Sequence, residues 1–468
     1  MIWAVWYRFH IGESTLNGMS STMMINPPKI NSTLLKGIGV GALGGLLFGF
    51  DTAVIAGTTA SLSRTYHLSP GALGLTVSIA LWGTVIGSLG AGYAGQKLGS
   101  KRALRIMALL YVVSAAGCAL ACNWHSLVLF RFIGGLGIGG SSVLGPVYMA
   151  ELSPAKWRGR LVGLFQINIV VGVLLAYLSN FLIARIVTGS WGWRLQLGIA
   201  SIPAALFFLL LLTVPESARW LIAQNRRAEA LAVLQATGAS DPASEAECIY
   251  ASMRTEKVER AERLFQREYM FPIFLAVSMG MFNQLSGINA ILYYLNDIFA
   301  AGGYGGVGSG LQAVAVGFMN LIATAIAITV IDKVGRKKLL LAGSVGMVIA
   351  LSGVAAVMSH RLPQHLLFPL LTAYTFSFAF SQGAVIWVFI SEIFPTRVRS
   401  KGQGLGTSAH WVMNAMISGI FPSVAARNNA YPFVFFAAMM AVQFFVVLTV
   451  YPETKQLTLE QVQQKLHA

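Results

Sequence analysis

The sequence carries little charge: charged residues make up 11% of its 468 residues, whereas an ordinary soluble domain carries about 25%. A single soluble core of this length is also excluded, because such cores stop growing beyond about 250–300 residues. Hydrophobic residues make up 56% of the chain, and its mean hydropathy is +0.67. In lipid, each apolar run of about 20 residues can stand as a separate helix. The composition therefore predicts an integral membrane protein.

Cysteine is equally scarce. Cys118 and Cys122 lie one helical turn apart in an apolar run, and Cys248 lies in a polar segment. This spacing makes a disulfide framework implausible, and a metal site would lack further ligands. No Ser/His/Asp set or phosphate-binding loop is evident either. We therefore predict no metal, no other cofactor and no enzymatic activity.

Acidic residues are about half as frequent as basic ones, with 17 Asp and Glu against 33 Lys and Arg, which gives a formal net charge of +16. A nucleic-acid-binding protein would carry its basic residues on one continuous face. Here they are split among short loops between apolar runs, so we expect no nucleic-acid partner. An excess of Lys and Arg near span ends marks the cytoplasmic side of a membrane. The pattern predicts that the basic loops, at about 97–105, 156–160, 333–338 and 397–401, and both termini face the cytoplasm.

The apolar runs have the length of membrane-spanning helices, and we predict about twelve of them. Their abundant glycines let helix backbones approach closely in lipid. The predicted spans are 34–58, 74–96, 103–121, 127–149, 160–183, 195–213, 271–298, 309–331, 338–358, 366–391, 402–424 and 431–451.

The second half of the sequence is a diverged copy of the first. The motifs GQKLGSKR, ELSPAKWRG and PESAR recur about 240 residues later as DKVGRKK, EIFPTRVRSKG and PETK. This period is far too long for a solenoid. Duplicated blocks of spans are typical of transporters. The repeat therefore predicts two related six-helix bundles with charge only at their edges.

These observations divide the chain into five segments. The two bundles occupy 34–213 and 269–451, and the polar segment between them, 214–268, has apolar residues at helical spacing that predict two or three cytoplasmic helices. The start of the chain lacks the basic region and cleavage site of a signal peptide. We expect a cytoplasmic tail at 1–33, with Met1, Met19 or Met23 as the start, and a short cytoplasmic helix at 452–468.

Asp51 is the one acidic residue that falls well within an apolar run. An unpaired charge at that depth costs about 2.5–3.5 kcal/mol on insertion scales. Arg131, on a span that runs the opposite way, lies at a matching depth when counted at about 1.5 Å per residue. The two form either a static ion pair that fixes helix register or a switch that binds a proton when they separate. We favour the switch, because intramembrane carboxylates usually mark ion pathways.

Uncharged polar and aromatic residues recur inside several spans. Amides both donate and accept hydrogen bonds, which suits vicinal hydroxyls, and an aromatic ring offers its face to the C–H side of a sugar. A single amide would more often bond one helix to another, but Gln284 and Asn289 have further amides at similar depth on other spans, which favours a common cavity. The residues are Gln166, Asn168, Asn283, Gln284, Asn289, Tyr293, Tyr294, Asn320, Trp387, His410, Trp411 and Asn414.

From about Leu34 to Leu459 the chain resembles the sugar porters of the major facilitator superfamily. The stretches that carry the resemblance are RFIGGLGIG at 131–139, ELSPAKWRG at 151–159, PESARWL at 215–221, NQLSGINAILYY at 283–294, DKVGRKK at 332–338, IWVFISEIFP at 386–395 and PETKQLTLE at 452–460. The resemblance implies an all-α membrane fold of two six-helix bundles, a central site for a monosaccharide, and alternating access by rocking one bundle against the other.

The resemblance also implies roles for individual residues. Asp51 and Arg131 match the pair of proton-coupled members. Asn283 and His410 stand at sugar-contacting positions. The family usually has Gln at the position of Asn283, and Asn or Gln at that of His410. The remaining sugar contacts are Gln166, Gln284, Asn289, Asn320, Trp387 and Asn414, and the pocket or gate residues are Phe48, Tyr293, Tyr294, Phe378 and Trp411.

A cytoplasmic charge network that braces the bundles is implied as well. Ser100 replaces an Arg of the family pattern, so we expect the network to be thinner in the first half than in the second. Its expected members are Glu151, Arg158, Glu216, Arg219, Asp332, Arg336, Glu392, Arg399 and Glu453.

The leading hypothesis is a proton-coupled symporter for a monosaccharide, either a hexose or a pentose, with the proton as coupling ion. We expect it to act as a monomer in a bacterial-type inner membrane. One alternative is a passive facilitator in which Asp51 and Arg131 form a structural ion pair. A second is a sugar sensor that does not transport, although a sensor usually adds a long cytoplasmic tail.

Overall fold

The computed structural model describes residues 31–154, 157–187, 189, 191–259, 263–395, 397–455 and 461. The secondary structure of these residues is helical, with no strand among them. The tail expected at 1–33 and the helix expected at 452–468 lie largely outside the described residues. The all-α fold class is confirmed.

The described residues form twenty α-helices, with 3-10 turns at Ile55–Gly57, Arg267–Tyr269 and Gln364–Leu366. In chain order the α-helices are α1 (Ser32–Val54), α2 (Thr59–Tyr66), α3 (Pro70–Leu98), α4 (Ser100–Ala119), α5 (Trp124–Leu152), α6 (Arg158–Ile186), α7 (Gly192–Gly198), α8 (Ser201–Thr213), α9 (Ala218–Ala223), α10 (Arg227–Ala236), α11 (Pro242–Glu259), α12 (Met270–Leu285), α13 (Ile288–Tyr293), α14 (Leu295–Ala301), α15 (Gly306–Val334), α16 (Arg336–Met358), α17 (Leu367–Phe380), α18 (Gln382–Glu392), α19 (Arg399–Ala425) and α20 (Tyr431–Thr449).

Eleven helical segments of the described chain are long and apolar enough to cross a membrane, and they coincide with eleven of the predicted spans. The twelfth, predicted at 402–424, is α19, a helix of 27 residues. It is long enough to span a membrane but more polar than the other spans, and His410 and Asn414 are among its buried residues. Polar groups buried in this way avoid contact with lipid, so α19 can still span the membrane.

Three predicted spans are interrupted, and one of these, predicted at 195–213 in the first half, is divided into α7 and α8. The span predicted at 271–298 is divided into α12, α13 and α14. The first division is at Gly287, which has a φ of +83°, a conformation that residues with a Cβ rarely adopt, and the second is at Tyr294. The span predicted at 366–391 is divided into α17 and α18 at the fully buried Ser381. Breaks at membrane depth are tolerated where the backbone is buried in protein or lines a cavity. The breaks at Gly287 and Ser381 lie in the second half of the chain.

The helices form two halves, α1–α8 and α12–α20. In the first half α1 packs on α6 and α3 on α5, and in the second α12 packs on α19 and α16 on α20. The halves meet along two helix pairs, α3 with α19 and α6 with α15. At the first of these, a Cβ on Gly74 would lie 1.9 Å from the carbonyl oxygen of Gly419. Glycine is therefore needed for the close approach of the two halves.

The linker between the halves folds as three helices, α9–α11, with a small apolar core of their own. The indole of Trp220 donates to the carbonyl oxygen of Gln96 over 3.0 Å, and the hydroxyl of Tyr148 donates to that of Pro215 over 2.8 Å. These bonds attach the linker to one end of the first half. We name this end of the molecule the linker end, and the opposite end the outer end.

Candidate functional site: a polar cavity between the halves

A cluster of amides and one imidazole lies on the inner face of the second half. The side-chain nitrogen of Gln284 donates to Oδ1 of Asn283 over 3.0 Å and lies 3.3 Å from the ring nitrogens of His410. Asn289 donates to Oε1 of Gln284 over 3.0 Å. The break at Gly287 is what brings Asn289, five residues further along the chain, back to Gln284. Four predicted sugar contacts are thus brought together.

Aromatic rings surround this cluster. The ring of Trp387 lies 5.2 Å from that of His410, and the ring of Trp411 lies 5.0 Å from it at nearly a right angle. Trp411 also approaches Phe48 of the first half, with 5.5 Å between ring centroids. Trp387 keeps 37% of its surface exposed, so these neighbours cover its ring only in part.

Asn414 is held in place by two neighbours. Its amide donates to the hydroxyl of Tyr293 over 3.2 Å and accepts from Ser418 over 3.1 Å. These bonds fix the direction of the amide and of the Tyr293 ring, which is buried. Tyr294 lies apart from this group: its ring stacks on Phe421 and its hydroxyl donates to the carbonyl oxygen of Ser418. Tyr294 therefore packs inside the second half rather than on the cavity surface.

Gln166, Asn320 and Phe378 lie on helices other than those of the cluster. Gln166 is on α6 and Asn320 on α15, the two helices that face each other across the halves. Both side chains are half-buried, and neither bonds to the amide cluster in the described structure. Phe378, at the end of α17, is half-buried and packs against the core of the second half. The two amides keep donors and acceptors available to a hydroxylated ligand.

Asp51 and Arg131 meet as the sequence predicts. Their nearest atoms, Oδ2 and Nη1, are 3.9 Å apart, and the side chains are 16% and 5% exposed. This distance allows an ion pair but exceeds that of a hydrogen bond. The Nε of Arg131 is buried without a hydrogen-bond partner. The pair is therefore loose, and the charges are only partly satisfied.

The pair lines a small cavity between the halves. Tyr293 and Trp411 line it from the second half, and Phe48 lines it from the first. Its volume is about 10 Å³, close to the space that one water needs. A proton or a water fits beside the pair in this conformation, whereas a sugar does not. The cavity links the ion pair to aromatic residues of the amide cluster.

The two sequence repeats form equivalent structures at the linker end. Glu216 accepts a hydrogen bond from the backbone nitrogen of Lys101 over 3.0 Å. Glu453 accepts from the backbone nitrogens of Arg336 and Lys337 over 3.0 and 3.2 Å. A carboxylate at a helix N-terminus satisfies free N–H groups and complements the helix dipole. The motifs PESAR and PETK therefore each anchor the chain after a bundle to a helix inside that bundle.

The ion-pair network around these anchors differs between the halves. In the second half, Arg336 pairs with Glu392 at 2.8 Å and with Asp332 at 3.0 Å. In the first half, Glu151 instead accepts from the hydroxyl of Ser100 over 3.1 Å. A neutral hydroxyl group, that of Ser100, thus donates to the carboxylate where the second half has the guanidinium of Arg336.

Three further arginines were expected in this network. Arg158 donates to the carbonyl oxygen of Ala150 over 3.1 Å, and Arg399 donates to that of Phe394 over 3.3 Å. Both bonds join residues close in sequence, within one half. Arg219 lies on α9, and its positive charge stabilises the ionised form of Glu151. The bonds of Arg158 and Arg399 to these carbonyl oxygens brace each half internally.

The outer end is closed by contacts across the halves that the sequence did not reveal. The hydroxyl of Tyr177, on α6, donates to the carbonyl oxygen of Leu292 over 2.8 Å. Thr59, at the start of α2, lies near Asp297 of α14, and α14 packs against the 3-10 turn Ile55–Gly57 of the first half. A polar aromatic residue inside a span and an acidic residue at a span end are weak signals alone, and neither shows which helix it will meet.

Comparisons with known proteins identify sugar transporters as relatives of this chain. A family model described as sugar (and other) transporter matches residues 38–466. The arabinose-proton symporter of Bacillus subtilis is 35% identical over 90% of this chain and 92% of its own length. The D-xylose-proton symporter of Escherichia coli is 35% identical over 91% of this chain and 94% of its own length. The glucose transport protein of Synechocystis is 35% identical over 90% of this chain and 95% of its own length.

Solved structures of the Escherichia coli xylose transporter share the fold. Its inward open conformation superposes with a TM-score of 0.83, at 33% identity over 92% of this chain and 99% of that chain. The structure bound to 6-bromo-6-deoxy-D-glucose gives a TM-score of 0.76, at 34% identity over 94% of this chain and 100% of that one. A closed outer end agrees with the similarity to an inward open structure.

Proposed function

Since the chain belongs to the sugar porter family of the major facilitator superfamily, we propose that it is a proton-coupled symporter for a monosaccharide. Membership makes it a multi-pass membrane transporter of sugars rather than an enzyme. Relatives of similar identity are named for arabinose, xylose and glucose. The substrate class that we propose is accordingly an aldose of five or six carbons.

The observation that carries this proposal is that the loose ion pair and the amide cluster share neighbours: Tyr293, which bonds to Asn414, and Trp411, which contacts His410, both line the small cavity beside the pair. Gln284, Asn289 and His410 offer donors and acceptors, and the ring of Trp387 lies beside His410. Each sugar hydroxyl can both donate and accept a hydrogen bond, and so can an amide. These side chains therefore suit a sugar better than an ion. A ring C–H face can pack on the indole. These groups bind and orient the sugar.

Asp51 supplies the proton site in this proposal. The carboxylate lies beside Arg131, at 3.9 Å, on a helix that packs against that of its partner. Movement of α1 against α5 would leave a buried charge without a partner, which costs several kcal/mol. Binding a proton removes that cost. Because Tyr293 and Trp411 of the second half line the cavity beside the pair, separation of the halves there would admit water to the carboxyl group and change its proton binding. This couples the proton to the rocking of the halves.

In this proposal, alternating access consists of opening and closing the two ends of the molecule in turn. Contacts of Tyr177 with Leu292 and of Thr59 with Asp297 close the outer end, and breaking them would open it. We propose that the linker end faces the cytoplasm, because the basic loops lie there. Both termini would then be cytoplasmic. The ion pair, the amides and the contact of Tyr177 across the halves all belong to one chain, so a single chain can rock as a monomer.

The proposal is tested by counterflow in proteoliposomes loaded with one unlabelled sugar at a time. With no pH gradient, we expect labelled xylose, arabinose or glucose to enter transiently above its equilibrium level when the same sugar is inside. Protein-free liposomes and labelled lactate are the controls. A lack of counterflow with every aldose of five or six carbons would contradict the proposed substrate class.

A further inference from the structure

A groove on the surface of the second half runs between α16 and α20. Both helices are long and apolar enough to cross a membrane, so the groove lies at membrane depth. Its volume is about 440 Å³, which is within the range of small-molecule sites. Ser352 of α16 and Ala438 of α20 line the groove and are exposed, so it is open to lipid. No step of sugar binding or of the proposed coupling uses it.

Short side chains on both walls create this groove. The small residues that line it include Ala355, Ala356 and Ser359 on α16 and Ala437, Ala438 and Ala441 on α20. Helices with small residues at their contact usually approach closely in lipid. Here α16 and α20 pack on each other, but the space between these particular residues stays open. It is therefore filled by something outside the described residues of the chain.

The groove has the depth of one membrane leaflet. Its lining extends along α16 from Val348 to Ser359, which corresponds to about 16 Å at the rise of an α-helix. Half of a hydrocarbon core of about 30 Å is about 15 Å. The mouth of the groove lies at the outer end, because α16 ends there at Met358. An acyl chain that enters from the headgroup level at this end can therefore lie along the whole groove.

A guanidinium group stands at the mouth. Arg361 lines the groove there, and its side chain has no hydrogen bond, ion pair or ring contact with the residues that the structure describes. Arg64, Arg185 and Arg194, at the same end, each contact their own half instead. A guanidinium binds a phosphate through two parallel hydrogen bonds. At the level of the headgroups, the phosphate of a lipid is the anion within its reach.

A second copy of the chain fits this groove less well than a lipid does. Two copies related by a twofold axis would present the same concave surface to each other, so the groove would remain empty. The two Arg361 side chains would also lie at the same level of the membrane, and like charges across an interface repel each other. A phospholipid supplies both the acyl chain that the groove accepts and the anion that Arg361 lacks.

We infer that the groove between α16 and α20 binds one anionic phospholipid from the leaflet at the outer end, with the phosphate on Arg361 and one acyl chain against the alanines. A lipid with a single negative charge, such as phosphatidylglycerol, matches the single guanidinium. In a zwitterionic lipid, the ammonium group attracts the same phosphate and weakens the pairing. Both walls belong to the second half, so the site requires neither sugar nor the proposed alternating access.

Native mass spectrometry of the full chain tests this inference. The protein is purified in detergent, stripped of lipid and titrated with phosphatidylglycerol, and the dissociation constants of the first and second bound lipid are measured separately. A charge-assisted hydrogen bond contributes about 1.5–3 kcal/mol, so we expect the first lipid to bind at least about tenfold more tightly than the second. Phosphatidylcholine should show a smaller preference, and glycerol phosphate, which has no acyl chain, should not displace the first lipid.

Two variants alter the site in independent ways. Arg361→Gln removes the charge at the mouth, and Ala438→Phe fills the groove from an exposed position. Each should weaken binding of the first phosphatidylglycerol by about tenfold and leave the second unchanged. The matched controls are Arg427→Gln, at an exposed outer arginine that does not line the groove, and Ala325→Phe, at an exposed position of α15. Both controls should bind like the parent.

The same spectra contain the results that would overturn the inference. One is a parent whose first and second lipids bind with equal affinity, because no particular site would then exist. Another is wild-type affinity for the first lipid in both Arg361→Gln and Ala438→Phe. A third is a dimer that Ala438→Phe abolishes while lipid affinity stays unchanged, which would assign the groove to a second copy of the chain. Size-exclusion elution and thermal unfolding show whether each variant is folded.

Discussion

Asp51→Asn is expected to lose the accumulation of sugar driven by a pH gradient, while it still exchanges labelled for unlabelled sugar. The amide keeps the shape of the carboxyl group but cannot exchange a proton near neutral pH. Exchange does not require the empty carrier to return across the membrane, so it survives. The expected ratio of internal to external sugar falls to about one, the equilibrium value for an uncoupled carrier. Proteoliposome uptake with and without the gradient measures both properties.

Arg131→Ala is the companion variant and should show less accumulation and less exchange than Asp51→Asn. It removes the partner at 3.9 Å and leaves Asp51 buried among apolar groups, which favours a permanently protonated acid. Accumulation and exchange should therefore both fall. If Asp51→Asn accumulates sugar as well as the parent does, the pair is a structural ion pair and the protein is a passive facilitator.

The second large effect is expected at the sugar site. Gln284 bonds to Asn283, Asn289 and His410, so Gln284→Ala removes the centre of the cluster as well as one contact. Leaving buried polar groups unpaired costs about 1–3 kcal/mol each, and each 1.4 kcal/mol is a factor of about ten in affinity. We expect sugar binding to weaken by about tenfold or more, with the protein still folded in the membrane.

Trp387→Ala should weaken binding similarly, because it removes the partly exposed indole ring. The chain offers matched controls for both variants. Trp82 on α3 is 38% exposed, against 37% for Trp387, and Gln235 lies exposed on the linker helix α10. Trp82→Ala and Gln235→Ala should bind sugar like the parent in isothermal titration calorimetry. Wild-type affinity in both Gln284→Ala and Trp387→Ala would place the site elsewhere.

The sequence predicts the ion pair well, because the pairing depends on depth alone. Two spans that run in opposite directions bring Asp51 and Arg131 to the same level when residues are counted at about 1.5 Å each. The amides are predicted as a set by the cost of burying them in lipid. The hydrogen bonds between the amides are not predicted. The bond from Asn289 to Gln284 depends on the break at Gly287, and hydropathy detects an apolar run without detecting a turn inside it.

The contacts across the halves could not be predicted for a related reason. Tyr177 meets a backbone carbonyl oxygen, and Thr59 meets Asp297, through the packing of helices that are far apart in sequence. The repeats show which helix ends are equivalent, and the structure agrees at Glu216 and Glu453. They do not show which conformation the halves adopt, so the expected roles of Arg158 and Arg399 could not be assigned to particular bonds from sequence.

Sugar accumulation by the unmodified protein tests proton-coupled symport most directly. Proteoliposomes prepared at internal pH 8 are diluted to external pH 6 with the labelled aldose that shows counterflow, in the presence or absence of an uncoupler. Proton coupling predicts that internal sugar rises well above the external concentration and falls back to it when the uncoupler collapses the gradient. Internal sugar that levels off at the external concentration under both conditions would contradict the account and identify a passive facilitator.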